Sequence, residues 1–376
     1  MTNSYDVAVI GAGAMGSSAV YHLAKTGKRI LAIDQYVPPH NLGSSYGQSR
    51  IIREAYFESP VYVPLVQQAY DLWYQLERES GKKLLLKTGG LMLGTPDSKV
   101  VQGAMLSALR HNLPYEYLDS DEIKKRFPGL NPAGDTVGIY EKNAGILFPE
   151  ECIKTNLELA KNSNVYFHFN EIATAIKSNG DVVDIITNKE KYTTAKLIVS
   201  AGAWLRGLFP ELRLPLSVAR QVLFWFKYTG KNAKNFLPEN FPIYIWQPEK
   251  EKIFYGFPEL GDGIKIAIHH GGKITAPDTI DRHVSDEEIS EIAEIVKHFL
   301  DIKATFDHSV VCMYTNTPDE DFIIDYHPEN KNIIIASPCS GHGFKFSSAI
   351  GKLLCDMATE KPLDFDISVF NLARLI

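Results

Sequence analysis

Cysteine is scarce and scattered in this chain: Cys152, Cys312, Cys339 and Cys355 are the only four in 376 residues, and no two form a C-x-x-C pair. That spacing argues against a cysteine zinc site and a disulfide framework, so each is first read as a small buried hydrophobe. Long apolar runs are also missing. None approaches the ~20 residues of a membrane span. There is no long basic block, and the net charge of −6 gives no support for nucleic acid or an anionic membrane as partner. The first residues run straight into an apolar stretch, which leaves no room for a signal peptide, and the expected location is the cytoplasm. His270, His342 and Asp325 match no common ligand spacing, so no metal is assigned. Repeats and low-complexity segments are absent too. What remains is an ordinary globular composition, 45% hydrophobic, long enough for a large core divided into two lobes.

The stretch Tyr5 to Asp34, YDVAVIGAGAMGSSAVYHLAKTGKRILAID, organises the rest. Val7 to Ile10 read as a buried strand, a helical pattern runs from about Ala14 to Lys25, and a second apolar strand from Arg29 to Ile33 ends in an acid. Between strand and helix, Gly11, Gly13 and Gly16 stand at G-x-G-x-x-G spacing. Gly11 allows the tight turn, Gly13 lets backbone N–H groups approach a pyrophosphate, and Gly16 lets the helix sit close on the sheet. The helix N-terminus then offers free donors and partial positive charge to phosphates. Asp34 is placed for ribose hydroxyls, against a 2′-phosphate there. The fingerprint alone leaves FAD and NAD both open.

Downstream, QYVPPHNLGSSYGQSRIIREAY is a loop leading to Arg50 and Arg53, which share one face if that segment is a helical turn. Val61 to Glu79 carries Val63, Val66, Tyr70, Trp73 and Leu76 at helical spacing. Strands are expected within Leu84 to Leu93, broken at Gly89-Gly90, and a helix over Lys99 to His111. Strand-like alternation follows over Gly138 to Phe148, then a helix over Glu150 to Lys161 and a strand over Val165 to His168. KLIVSAGAW, Lys196 to Trp204, is an apolar strand emptying into Ala201 and Gly202, as a parallel strand does where a cofactor comes close. Beyond Pro215 the texture turns aromatic and β-rich, in QVLFWFKY, FPIYIWQP, KIFYGFP and GIKIAIHH, which predicts an antiparallel sheet and a substrate lobe. Ser285 to Leu300 is a capped amphipathic helix with Ile289, Ile292, Val296 and Phe299 in one stripe. Near the end, a strand from Asn332 to Ser337, a Gly341-His342-Gly343 turn and a helix from about Phe344 to Ala358 imply that the nucleotide lobe is completed by the last part of the chain.

These segments together resemble the monomeric sarcosine oxidase and N-methyltryptophan oxidase family of FAD-dependent amine oxidases. The likeness rests on VAVIGAGAMGSSAVYHLA, SRIIREAY, KLIVSAGAW, YGFP with GIKIAIHH, CMYTNTPDEDFIID and SGHGFKFS, in the family's order and over nearly the whole chain. It implies an α/β protein: a doubly wound, Rossmann-like and D-amino-acid-oxidase-like FAD-binding domain from residues 1-85, 148-217 and 320-376, and a second, mixed or antiparallel β-sheet substrate domain from 86-147 and 218-319. It implies covalent FAD through Cys312, a choice that the four cysteines alone do not make; the thiolate is the competent nucleophile for such a bond. It places the cofactor against Gly11, Gly13, Ala14, Met15, Gly16, Asp34, Gln35, Ser44, Ser45, Arg50 and Ile172. Further along it adds Ala201, Gly202, Trp204, Cys312, Gly341, Gly343, Phe344 and Lys345.

The resemblance also implies that Arg53 and Lys345 clamp the carboxylate of an N-methyl amino acid, roles that suit a bidentate guanidinium and a point-charge ammonium. Lys265, His269, Tyr255, Tyr314 and Arg50 carry the catalytic expectations. Alternation puts Lys265 and His269 on one strand face, and a lysine buried there without a task is costly. In the family it lies near flavin N5, where a cation assists the passage of electrons to oxygen. The implied reaction is oxidative demethylation of a secondary amine with molecular oxygen, giving formaldehyde, a primary amino acid and hydrogen peroxide, in a monomer. Pro338, Cys339, Gln48 and Glu54 depart from the family pattern and leave substrate size open. Tyr244, Trp246 and Phe254 frame a larger side chain such as that of N-methyl-L-tryptophan unless they are core. A cyclic or glycated amine as substrate, an NAD-dependent dehydrogenase and an idle FAD-binding scaffold are the other readings.

Overall fold

A computed structural model describes residues 3–230 and 232–375. Its first sheet forms around Ser4–Ile10, an apolar strand buried along most of its length. That strand pairs in parallel with Ile30–Asp34 on one side and Lys191–Val199 on the other. Val165–Phe169 extends the sheet beyond Ile30–Asp34, and Asn330–Ser337 pairs in parallel with Lys191–Val199. Ala173–Asn179, Val182–Thr187 and Ile323–His327 join as antiparallel additions, for eight strands in all. Parallel strands need long crossovers, and here they span most of the chain. The helix Ala14–Ala24 packs against Pro149–Ala160 and Ser347–Ala358. A methyl group on Gly351 would lie 2.1 Å from Ser18 Oγ, so small residues set the close crossing of the first and last of these helices.

A second sheet of nine strands is antiparallel except where Ile243–Glu249 runs parallel to Gly90–Gly94. Its spine is the pair Ser217–Thr229 and Lys303–Asn316. Tyr244, Trp246 and Phe254 are buried with Ile292, Ile295 and Val296 of the helix Asp286–Phe299, in a core of their own. They line no part of the large cavity, so these aromatics frame no substrate side chain. The helix opens with a full capping box between Ser285 and Glu288.

A three-stranded sheet joins the two: Arg50–Ile52 and Leu85–Lys87 both pair with Gly145–Leu147. The segment that carries Arg50 is therefore a strand, not the helical turn on which Arg50 and Arg53 would share a face. Pairing with Gly145–Leu147 overrides the local pattern, and Arg53 follows directly after the strand. The helix expected from Phe344 likewise begins as a 3-10 turn, Phe344–Phe346, and becomes α-helical at Ser347. Among the described residues no helix is long and apolar enough to cross a membrane.

Candidate active site

A cavity of about 530 Å³ runs from the glycine fingerprint to the face of the second sheet. Its nucleotide end is shaped by backbone. Gly11 sits at φ +88°, and a Cβ there would lie 2.5 Å from the Ser200 carbonyl oxygen; one on Gly16 would lie 1.7 Å from the Gly11 oxygen. Only glycine allows that turn. Gly11, Gly13, Ala14 and Met15 line the cavity, and the helix behind them has no side chain capping its N-terminus, which leaves its first N–H groups for a ligand. Gly16 lies behind the wall, where it lets the helix close on the turn.

Asp34 accepts from Ala12 N at 2.7 Å and Tyr36 N at 2.9 Å, and the imidazole of His40 stands 3.9 Å away. Burial raises its pKa, against the pull of those two N–H groups and of His40. Gln35 and Ile172 line the same end, and Ser44, Ser45, Ala201, Gly202 and Trp204 the middle.

At the far end Arg50 and Cys312 share the wall. Arg50 donates to the carbonyls of Ser44, Tyr46 and Ser49, which ties the loop before it into place. Burial pushes the Cys312 thiol up, while Arg50, Lys265 and Arg282 pull it down. Lys265 is one layer back. Its ammonium donates to Gly47 O at 2.6 Å, Ser49 O at 3.0 Å and Ser49 Oγ at 2.9 Å, and it does not itself line the cavity. Its pKa falls well below the usual lysine range, first from burial and then from Arg50.

Gly341, Gly343, Phe344 and Lys345 also line the cavity, Gly341 against the Tyr314 ring. Lys345 is buried and donates to His342 O at 2.7 Å; burial and the nearby Arg53 bring its pKa down to about 7. Arg53 is 1% exposed, with Nη1 on Ala55 O at 3.0 Å and Nη2 on Glu58 at 2.5 Å. Burial works against the Glu58 carboxylate, yet Arg53, His342 and Lys345 together hold its pKa at about 2. Tyr255, His269 and Tyr314 complete this pole. The two hydroxyls are 3.5 Å apart, and the imidazole centroid is 6.2 Å from one ring and 5.9 Å from the other. Burial, then His270, holds His269 well below the usual histidine range, so its ring is neutral at pH 7.

The structure thus gathers every expected site residue onto one cavity except Gly16 and Lys265, which stand directly behind it. Glu58 escaped the sequence reading. Five residues beyond Arg53 in an irregular segment, it had no periodicity to mark it. His342, which the sequence marks only by its place in the Gly341-His342-Gly343 turn, is a packing and hydrogen-bonding residue. Its Nδ1 meets the Tyr56 hydroxyl and its Nε2 the Glu320 carbonyl at 3.0 Å.

The donor set fits FAD. Uncapped helix N–H groups face the diphosphate region, and a buried acid stands where a ribose would lie. Two buried polar atoms on the wall, Arg53 Nε and Thr315 Oγ1, have no partner among the described residues. A fold of this kind with such a cavity defines a dinucleotide-binding protein. The chain belongs to the FAD dependent oxidoreductase family, whose sequence model matches residues 6–357. It depends on FAD as that family does.

Within the family it is 40% identical to the monomeric sarcosine oxidase of Streptomyces avermitilis, over 100% of this chain and 99% of that protein. It is 35% identical to the N-methyl-L-tryptophan oxidase of Yersinia pestis, with 98% and 99% covered. Among solved structures it superimposes on the open form of NikD, an unusual amino acid oxidase essential for nikkomycin biosynthesis, with a TM-score of 0.86 at 20% identity over 98% of each chain. Glycine oxidase from Geobacillus kaustophilus gives a TM-score of 0.82 at 21% identity over the full length of both. These last two speak for the fold.

Proposed function

We propose that the protein oxidises a small N-methyl amino acid of the sarcosine type at its N-methyl carbon, giving formaldehyde, the primary amino acid and hydrogen peroxide. The observation that carries this reading is the pair of buried cations, Arg53 and Lys345, beside Tyr255, His269 and Tyr314 on one cavity wall. Two buried cations demand an anion, and Glu58 meets only part of that demand. A substrate carboxylate would take the Lys345 ammonium and compete with Glu58 for Arg53. Anchored so, the amine falls between Tyr255, Tyr314 and a neutral His269, a site with no added positive charge, which favours the neutral amine over the ammonium. FAD, when bound, supplies the two-electron acceptance and the transfer to oxygen. Arg50 would put positive charge where negative charge develops as oxygen is reduced, and Lys265 behind it, its pKa lowered by burial and Arg50, would gain a proton more readily once that negative charge forms.

Cys312 is the proposed point of covalent attachment; burial raises its thiol, and Arg50, Lys265 and Arg282 act against that rise. Residues 1-85, 148-217 and 320-376 are proposed as the cofactor lobe, 86-147 and 218-319 as the substrate lobe, in a cytoplasmic monomer. Sarcosine and N-methyl-L-tryptophan, each added anaerobically to the purified protein, test the reading by bleaching of the flavin band. Bleaching by sarcosine supports it, and bleaching by N-methyl-L-tryptophan alone selects the larger substrate. A band that neither compound bleaches turns the search to cyclic or glycated amines.

A further inference from the structure

Glu141 ends the strand Val137–Glu141 and is 2% exposed. No cation reaches it within ion-pair distance among the described residues. Its carboxylate is spent on the backbone beyond Arg53: Oε1 and Oε2 accept from Glu54 N at 2.8 and 3.0 Å, and Oε2 accepts from Ala55 N at 2.7 Å. The same Ala55 offers its carbonyl to Arg53 Nη1 at 3.0 Å. One residue is therefore gripped at N–H by the acid and at C=O by the guanidinium. A few residues on, Asn143 Nδ2 reaches the Glu54 carboxylate at 3.3 Å, and Gly145–Leu147 pairs with the strand that carries Arg50. The one stretch from Glu141 to Leu147 thus touches the segments that carry both arginines.

We propose that Glu141 is a positioning residue for the carboxylate clamp, acting through Ala55 to fix the direction of Arg53. The inference rests on the reading of Arg53 as a substrate anchor. A buried acid without a cation is expensive, and a neutral cap would satisfy a turn at lower cost. Burial raises the Glu141 carboxyl to about 7, against the pull of the Ala55 and Glu54 N–H groups; among charged neighbours Glu54 adds to the rise and Arg53 opposes it. Two acceptor oxygens on adjacent N–H groups leave the peptide one orientation. A glutamine would turn an NH₂ toward an N–H and lose one of the contacts.

The test uses flavin-loaded Glu141→Gln and Glu141→Asp. Acetate, a carboxylate with no amine, is titrated against the flavin absorbance, and sarcosine is followed by anaerobic reduction. The expected result for Glu141→Gln is an acetate Kd and a sarcosine KM raised at least fivefold, with the limiting reduction rate within threefold of the unmutated protein. Glu141→Asp, which keeps both oxygens, recovers part of the loss. An unchanged acetate Kd overturns the proposal, as does a limiting rate that falls in proportion to kcat/KM. Failure of both variants to load flavin assigns Glu141 to folding and overturns it too. If sarcosine does not bleach the unmutated protein, the substrate reading falls, and the acetate titration still decides the role of Glu141.

Discussion

Lys345 makes a weak cation by itself: with its pKa brought to about 7, half its ammonium charge is gone at neutral pH before any ligand arrives. A pKa depressed in this way means the charge is fully present below about 7 and lost as the pH rises through it. Acetate affinity should therefore be level below about pH 6 and fall by up to tenfold per unit above about 7. Lys345→Met should remove that slope and lower the plateau; a profile flat to pH 9 in the unmutated protein would discharge Lys345 from the clamp. Glu58, held at about 2, and His269, held well below its usual range, are silent in this window. Glu141 is not, and the comparison with Lys345→Met separates the two. A second outcome concerns Cys312. Acid precipitation should leave the flavin in the pellet of the unmutated protein and release it from Cys312→Ser, and a yellow supernatant from both would refute covalent attachment. At this scale the sequence was legible where chemistry has a motif: Arg53, Lys345 and Cys312 sit in segments with a family likeness. Glu58 and Glu141 were illegible because their partners are backbone or a neighbour brought close only by the fold.

Elements were read well where a period or a cap spoke for them, as in Ala14–Ala24 and Asp286–Phe299. The strand Arg50–Ile52 has no signal of its own in the sequence, because it is three residues long and pairs with Gly145–Leu147, far downstream. Two substitutions set local effects against active-site effects. Ser285→Ala removes the capping box and should cost about 1 kcal/mol, seen as an earlier thermal transition with turnover and flavin spectrum unchanged. Gly341→Ala should do both kinds of damage. Gly341 has φ +78°, and its added methyl would meet the Tyr314 ring at 2.5 Å. The expected loss is about 1–3 kcal/mol together with a raised KM for sarcosine. An Ala variant with an unmoved thermal transition and KM would mean that the turn relaxes freely.

In the whole molecule one cavity is lined both by the fingerprint at the edge of the first sheet and by Cys312 of the second. Holding FAD should therefore stabilise the folded chain by mass action. Cys312→Ser stripped of flavin should melt earlier than the loaded variant and regain its transition temperature in proportion to added FAD; equal melting would place the cofactor outside the cooperative core. The pairing of Ser4–Ile10 with Lys191–Val199, and of that strand with Asn330–Ser337, carries a further consequence for how the protein is made. On the ribosome the fingerprint emerges long before the residues that close its cavity and, at about 5–20 residues per second, waits on the order of tens of seconds for them. Lys345 is the last residue to line that cavity. A chain cut short before Lys345 has a phosphate turn but no closed flavin pocket, so the redox group can be taken up only once that residue has been made.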